Sequence, residues 1–234
     1  MTSVEFPALF LSQDHECGYF KERTARTLFV DPEATVEPEM YNQMLKFGFR
    51  RSGNLFYRSY CEGCSDCIPV RVPANDFLPN RTQRRCWHKN SDIECIERPA
   101  RFYDEHFALF QRYIAGRHED GNMQTDDKDT FLNFFISPHM NTRFYELRLA
   151  RQLVGVYVTD FFDDAMSAVY TFFDPDFKNR SLGVFSILSQ LHEAKSRNLS
   201  WLYLGYWIKD CQKMAYKSQY RPLQTFNGKS WNRL

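Results

Sequence analysis

The chain lacks any apolar run of the roughly 18 residues that a membrane-spanning helix needs, although 43% of its 234 residues are hydrophobic. Basic residues are missing ahead of the short apolar segment in MTSVEFPALFLSQDHE, so the N-terminus does not read as a secretory signal. A surplus of charge is missing too: 30 Lys and Arg stand against 29 Asp and Glu, a net +1. That excludes a polycation gripping nucleic acid by bulk attraction, and any anionic partner must be met by a local basic patch. Neither internal repeats nor low-complexity linkers occur, which removes solenoids and disordered arrays. Seven cysteines, an odd number, do not make a disulfide framework. In a reducing compartment, thiols at short spacing serve metal or redox chemistry instead. What remains is a cytoplasmic globular protein with no membrane partner, expected to be a monomer and long enough to bury a full core.

Aromatic residues are abundant, 17% of the chain with 22 Phe and 13 Tyr, and they serve a core before any stacking role. RTARTLFV is extended and ends at Asp31-Pro32. Pro38 at a first-turn position opens a helix through EMYNQMLKFG, with Met40, Met44 and Phe47 on one stripe and Gly48 as C-terminal cap. FRRSGNLFYRSYC is strand-like, yet its arginines keep at least one face toward solvent or ligand. Residues 102–114 show helical apolar spacing, and DDKDTFLNFFISP is a second helix behind an acidic N-cap. Residues 144–149, 153–161 and 165–173 form a meander, split by Ala150-Arg-Gln and by Asp163-Asp164. Ser181 caps a helix through LGVFSILSQLHEAKSRN, which crosses to a short parallel strand at residues 201–206.

The reading is α+β. A small cysteine-containing N-terminal lobe with a basic patch spans residues 1–98, and residues 99–234 form a domain with a mixed, largely antiparallel sheet. Meander, crossover helix and strand in that order resemble an acetyltransferase-like (GNAT-type) acyltransferase domain. Such domains hold coenzyme A pyrophosphate on a glycine-rich loop at the crossover helix, where unpaired N–H groups and the helix dipole favour anions. Here that junction is Asn179-Arg180-Ser181-Leu182-Gly183-Val184, with a single glycine. Coenzyme A is disfavoured as donor, while Ser181 and Gly183 keep an anion-seeking junction that suits an aminoacyl-tRNA end.

Cys61, Cys64 and Cys67 recur every three residues around Gly63, and Cys17 would complete four ligands for zinc or an iron–sulfur cluster. The competing reading is four reduced thiols packing a small lobe. Cys86, Cys95 and Cys211 lack partners at that spacing and are expected to pack. The basic set is Arg50, Arg51, Arg58, Arg71, Arg81, Arg84, Arg85, His88 and Lys89. Its last part places four Arg or Lys and one His in nine residues with no acid. Arginine forks suit phosphate, and Tyr57, Tyr60 and Trp87 could stack on unpaired bases; a solvated charged face is the alternative. Asp160 ends an otherwise apolar strand, where a carboxylate could bind an acceptor ammonium or take its proton, or merely terminate the strand. Asp174 before Pro175 reads as structural. In the tail, Lys213, Tyr216, Lys217, Tyr220 and Arg221 recur at spacings of three and four. They form a cationic tip for phosphates or an acidic acceptor, or surface decoration.

Several strings carry a more specific likeness. They are Tyr41-x-x-x-Leu-x-x-Gly-Phe-Arg-Arg-Ser-Gly-x-x-x-Tyr-Arg, Cys-x-x-Cys-x-x-Cys-x-Pro-Val-Arg-Val, RHEDG-x-M at 117–123, FDPDF at 173, SLGVFSIL at 181, and YLGYWI at 203 with KM-x-YK-x-x-YRPL at 213. Together they resemble the bacterial branch of the arginyl-tRNA–protein transferase family over nearly the whole chain. The resemblance implies transfer of an aminoacyl group from charged tRNA to the α-amino group of a protein, marking it for degradation by the N-degron route. In the bacterial branch the donor is leucyl-tRNA, the acceptors are proteins or peptides beginning with Asp or Glu, and transfer requires no cofactor. Asp160 would then position or deprotonate the amine, with backbone N–H groups near Gly183 assisting. The acceptor's acidic side chain would be read by arginines of 50–85 or of the tail. In the eukaryotic branch the donor is arginyl-tRNA and the cysteine region can hold an iron–sulfur cluster. Here Phe20 stands where a partner of Cys17 is expected and CxxCxxC replaces a vicinal pair, so that ligand set does not carry over intact. Two rivals stay open: arginyl transfer, and a non-catalytic redox-sensing module that binds tRNA or degradation substrates.

Overall fold

The computed structural model describes residues 7–117 and 127–234, so most of the 117–123 string lies outside the described residues. Strands β1 (Leu9–Leu11), β2 (His15–Glu16), β3 (Thr24–Ala25) and β4 (Thr27–Val30) precede helix α1 (Pro38–Lys46). Next come β5 (Arg50–Ser52), β6 (Leu55–Ser59), β7 (Ile68–Pro73), α2 (Arg81–Lys89) and β8 (Ile93–Pro99). Helices α3 (Asp104–Arg117) and α4 (Lys128–Phe135) lead into β9 (Thr142–Leu149), β10 (Gln152–Phe161) and β11 (Ala165–Phe173). Helix α5 (Leu182–Ser196), β12 (Trp201–Trp207), α6 (Gln212–Ala215), β13 (Gln224–Phe226) and β14 (Trp231–Arg233) complete the chain.

One large sheet has the order β14-β13-β7-β12-β11-β10-β9-β8, and a four-stranded sheet has the order β1-β4-β6-β5. Every neighbouring pair in the large sheet is antiparallel except β11 and β12, which run parallel on either side of α5. The expected meander, crossover helix and parallel strand are all present. The division expected after residue 98 does not follow the sheet. Strands β7 and β8 come from the first segment, yet they pair with β12, β13 and β9. Hydrogen-bonding demand explains this: β9 and β12 would otherwise offer open edges.

The large sheet is covered on both faces. Residues of α2 and α5 pack on one side with Leu147, Tyr157, Met166 and Leu202. On the other side α3 and α4 pack with Phe144, Val156, Val158 and Phe172. There too α1 and the small sheet close over Ala165, Phe162 and Tyr203. Nine of ten residues in β10 are buried, as its near-continuous apolar run requires of a central strand. Among the described residues, no helix is long and apolar enough to cross a membrane.

Some local expectations change. Helix α1 buries Tyr41, Asn42, Met44 and Leu45, while Phe47 has left the helical geometry at its C-cap and is 49% exposed. Gly48 does follow as the left-handed residue, φ +81°. Asp127 caps α4 by accepting from the Thr130 N–H at 2.7 Å, the acidic start expected there. Ser181 stands at the N-cap of α5, but its backbone is left-handed and its side chain makes no cap hydrogen bond.

Phe131 is fully buried among Phe107, Phe110, Phe135 and Phe172. Phe131→Ala should lower the unfolding free energy by about 3–5 kcal/mol, whereas Leu78→Ala, at a side chain 76% exposed, should change it by less than about 0.5 kcal/mol. Urea denaturation of both variants checks the pair.

Candidate active site

Strand register lays a polar row across the large sheet. Thr142 lies opposite Asp160, Asp160 opposite Ser167, Ser167 opposite Tyr203, Tyr203 opposite Arg71, and Arg71 opposite Gln224. Directly paired residues point to the same face, so these six form a stripe under α1 and the small sheet. Of the arginines singled out from the sequence, Arg71 belongs to this stripe and Arg50 and Arg51 reach it from the small sheet.

Arg51 meets it at Asp160. Both side chains are fully inaccessible. Nε reaches Asp160 Oδ2 at 2.6 Å and Nη2 reaches Oδ1 at 2.5 Å. Thr142 Oγ1 donates to Asp160 at 2.7 Å and accepts from Arg51 at 3.0 Å. Arg51 Nη1 donates to the carbonyls of Phe135 and Gly53. Burial works against the Arg51 charge, but the Asp160 carboxylate outweighs it and lifts the guanidinium pKa above its ordinary value. Gly53 permits this docking: a Cβ there would fall 1.8 Å from the Asn133 carbonyl oxygen, and its φ is +55°. Asp160 therefore does not fit the role of meeting an acceptor amine. Its oxygens are held by Arg51 and Thr142, and it is 0% exposed.

Arg50 meets the stripe at β11. Nη2 donates to the Ala168 carbonyl at 2.6 Å and Nη1 to Ser167 Oγ at 3.3 Å. Its guanidinium lies against Gly205, where a Cβ would come within 3.1 Å of Arg50 Cζ. Gly205 has φ +78° and sits at the register shift between β12 and β7, so a glycine bulge opens the sheet for this arginine. Lys217 lies close by in the 3-10 turn Tyr216–Gln219 and is only 7% exposed. Its Nζ donates to the Tyr206 carbonyl at 2.7 Å and lies 3.8 Å from Met214 Sδ. Burial, and then the positive charge of Arg50, push the Lys217 pKa down to about 7. Neither cation has an ion-pair partner among the described residues. Tyr206, whose hydroxyl accepts from the Ser59 N–H, and Cys211 complete the surroundings.

Arg71 meets the stripe in an aromatic cage. It lies 3.7 Å from the Trp201 ring centroid and 4.3 Å from that of Trp231, and it donates to Tyr203 Oη and Gln224 Oε1. The cage packs the guanidinium on both rings and fixes Nε and Nη1.

The other expected residues scatter. Arg81, Arg84 and Arg85 lie on the exposed face of α2, with Arg84 bound to the Pro79 carbonyl. Ser181 and Gly183 stand at the start of α5 with their surroundings partly open. The spacing of the tail does not make one helical face. Helix α6 ends at Ala215, a 3-10 turn follows, and the Arg221–Pro222 peptide is cis. Lys213 and Arg221 are exposed, the latter donating to the Leu234 carbonyl, while Lys217 and Tyr220 are buried. Asp174 is structural as expected, pairing with Arg112 at 2.9 Å.

The cysteines fall short of a ligand sphere. Cys17, Cys61 and Cys64 lie within electrostatic reach of Cys67, whose thiol burial pushes up to about 11. Cys61 Sγ is engaged with the N–H and carbonyl of Arg26 at 3.5 and 3.6 Å. Among the described residues, no group of three or more His, Cys, Asp or Glu is placed to hold a metal ion. The described residues thus do not fit a preformed zinc or cluster site. Cys86 is buried as expected, whereas Cys95 lies at the surface.

Ser167 escaped the sequence reading, while Gly205 and Tyr206 entered it only within the YLGYWI string, with no role assigned. Only Gly205 left a signal, an isolated glycine within the apolar run WLYLGYW.

The arginine-tRNA-protein transferase family model matches in two parts, its N terminus over residues 15–85 and its C terminus over residues 105–227. The chain belongs to that family. Curated relatives named aspartate/glutamate leucyltransferase are similar along the whole length. The one from Hahella chejuensis is 44% identical over 99% of both chains. The one from Alcanivorax borkumensis is 45% identical over 99% of this chain and 96% of its own. The one from Marinobacter nauticus is 41% identical over 100% of this chain and 99% of its own. A crystal structure of FemX matches with a TM-score of 0.49 at 9% identity over 81% of this chain and 77% of that one, too distant to carry an argument.

Breaking the Arg51–Asp160 pair strands a buried guanidinium. Asp160→Asn should therefore lower the unfolding free energy by about 3–5 kcal/mol, read by urea denaturation. A variant that unfolds with its parent yet transfers nothing would restore Asp160 as a chemical group.

Proposed function

We propose that the protein is an aminoacyltransferase that moves leucine from leucyl-tRNA to the α-amino group of proteins beginning with Asp or Glu, marking them for N-degron degradation. The observation that carries this reading is the Arg50–Lys217 pair. Lys217 is buried and Arg50 half-buried, and neither has a carboxylate partner among the described residues, in a chain similar end to end to aspartate/glutamate leucyltransferases. An acidic side chain supplies the missing charge. The same two cations would repel a cationic donor side chain, which favours leucyl over arginyl. Strands β9 to β12 with α5 serve as an acetyltransferase-type core working without coenzyme A. Seven unpaired thiols support a reducing, cytoplasmic setting.

The chemistry asks little of the protein, because the aminoacyl ester is already activated. A neutral acceptor amine adds to the ester carbonyl. The new C–N bond forms, the C–O bond to the terminal ribose breaks, and the amine proton leaves with the ribose oxygen. Holding the acceptor by its side chain while the donor end is fixed supplies proximity.

Radiolabelled leucyl-tRNA and an Asp-initiated peptide test the reading: leucine should pass to that peptide and not to an Asn-initiated one. Transfer from arginyl-tRNA instead, or binding without transfer, would sink it. Lys217 must carry its proton to bind the acid, whereas an acceptor α-amine, with a pKa of about 7.7–8.0, must lose its own. With Lys217 at about 7, kcat/KM should peak between the two values and fall on the alkaline side. Lys217→Arg, which cannot deprotonate there, should remove the alkaline fall. Arg50→Gln should raise KM for the Asp peptide about tenfold to a hundredfold, the loss of one charged hydrogen bond.

A further inference from the structure

Helix α2 carries a charge pattern that the fold does not ask for. Arg81, Arg84, Arg85 and His88 fall at i, i+3, i+4 and i+7 and form one exposed stripe. The opposite face, Gln83, Cys86 and Asn90, is buried against the body of the protein. Like charges at these spacings repel along a helix, and no acid occupies the first turn. Arg81 even stands at the N-terminal end, where the helix dipole disfavours a cation. Neither Arg81 nor Arg85 has an ion-pair partner among the described residues. Stability is supplied by other means: the Asn80–Gln83 capping box, and Trp87 packed on Phe185 with ring centroids 5.4 Å apart. A stripe that stability does not favour is a stripe kept for a partner.

The position of α2 says which partner. Gln83 Nε2 donates to the Gln219 carbonyl at 3.2 Å, so the helix rests on the turn that carries Lys217. At its other end Cys86 Sγ lies 3.7 Å from the Ser181 carbonyl and Lys89 Nζ reaches the Asn179 carbonyl at 2.5 Å, both at the start of α5. A polyanion on the outer stripe is therefore held on a helix whose inner face rests on the turn that carries Lys217. We infer that the outer face of α2 is the docking surface for the phosphate backbone of the donor's acceptor stem, with Arg81 and Arg85 as its contacts. This rests on the aminoacyl-tRNA reading above. Double-stranded RNA is met through its phosphates and shape, and arginine forks suit that contact.

The test uses the full chain carrying Arg81→Gln and Arg85→Gln together, which leaves the capping box in place. KM for leucyl-tRNA should rise about tenfold, and the salt dependence of binding uncharged tRNA should flatten by about 2 in log–log slope. kcat, the thermal melt and transfer from 2′(3′)-O-leucyladenosine, a donor with no stem, should match the parent. Unchanged tRNA binding and salt slope would overturn the proposal, and so would an equal loss with both donors. The binding arm is read even if the parent transfers no leucine, so failure of the activity and failure of the docking surface are told apart.

Discussion

The buried pair of Arg51 and Asp160 is the interaction on which the rest of the molecule depends. It joins β5 of the small sheet to β10 of the large one, and its remaining hydrogen bonds reach Thr142 on β9 and the last carbonyl of α4. A buried ion pair is weak evidence of net stability, because desolvating both ions opposes their attraction. What this one supplies is placement. Any shift of β5 would separate two charges in a dry interior, so the strand has one energetically acceptable position. Arg50, the next residue, inherits that position and is aimed at Ser167, Ala168 and the Gly205 bulge.

Several buried or half-buried charges elsewhere are paired. Burial works against the Glu146 carboxylate, yet hydrogen bonds from Arg148 and His106 hold its pKa down at about 2. Burial in turn holds His106 below its ordinary value although Glu146 opposes this. Arg197 bridges Glu97 and Glu193, Arg180 pairs with Asp92, and Arg112 with Asp174. Four cations near the candidate site have no acid partner among the described residues. Lys217 is buried and Arg50 half-buried, Arg81 and Arg85 are exposed, and Gln83 of α2 reaches the turn that carries Lys217. Burial separates their tasks. A small anion can be desolvated and gripped in the first place, while a long polyanion can only be met at the surface.

The fold was legible where a single period ran long enough. The meander at residues 144–173 and the crossover helix after Ser181 carry clear two- and 3.6-residue patterns, and they fold as those patterns require. The sheet beyond β12 was not legible, since β7 pairs with β12 and β13, both distant in sequence, and register is a tertiary property. At the site, residue type pointed to Arg50 and Lys217 but could not rank them among the other basic residues singled out with them. Asp160 misled because an acid ending an apolar strand looks the same in sequence whether it faces a cleft or a buried arginine. The tail residues recur at spacings of three and four, but α6 ends at Ala215 and a 3-10 turn follows, so Lys217 and Tyr220 turn inward while Lys213 and Arg221 stay exposed. The cysteine spacing was real, yet whether thiols converge is set by loop geometry that spacing does not encode.

Lys217 also explains how such a site can discriminate against near-isosteres. In the protein alone its proton is held loosely, because burial and Arg50 both disfavour the ammonium. A carboxylate brought beside it reverses the balance, so binding the acid and charging the lysine are one coupled event. An asparagine or glutamine side chain has nearly the same shape but no charge to offer. It would leave Arg50 uncompensated and Lys217 either repelled or deprotonated. Selectivity then arises less from attraction of the right residue than from a repulsion that only the right residue relieves.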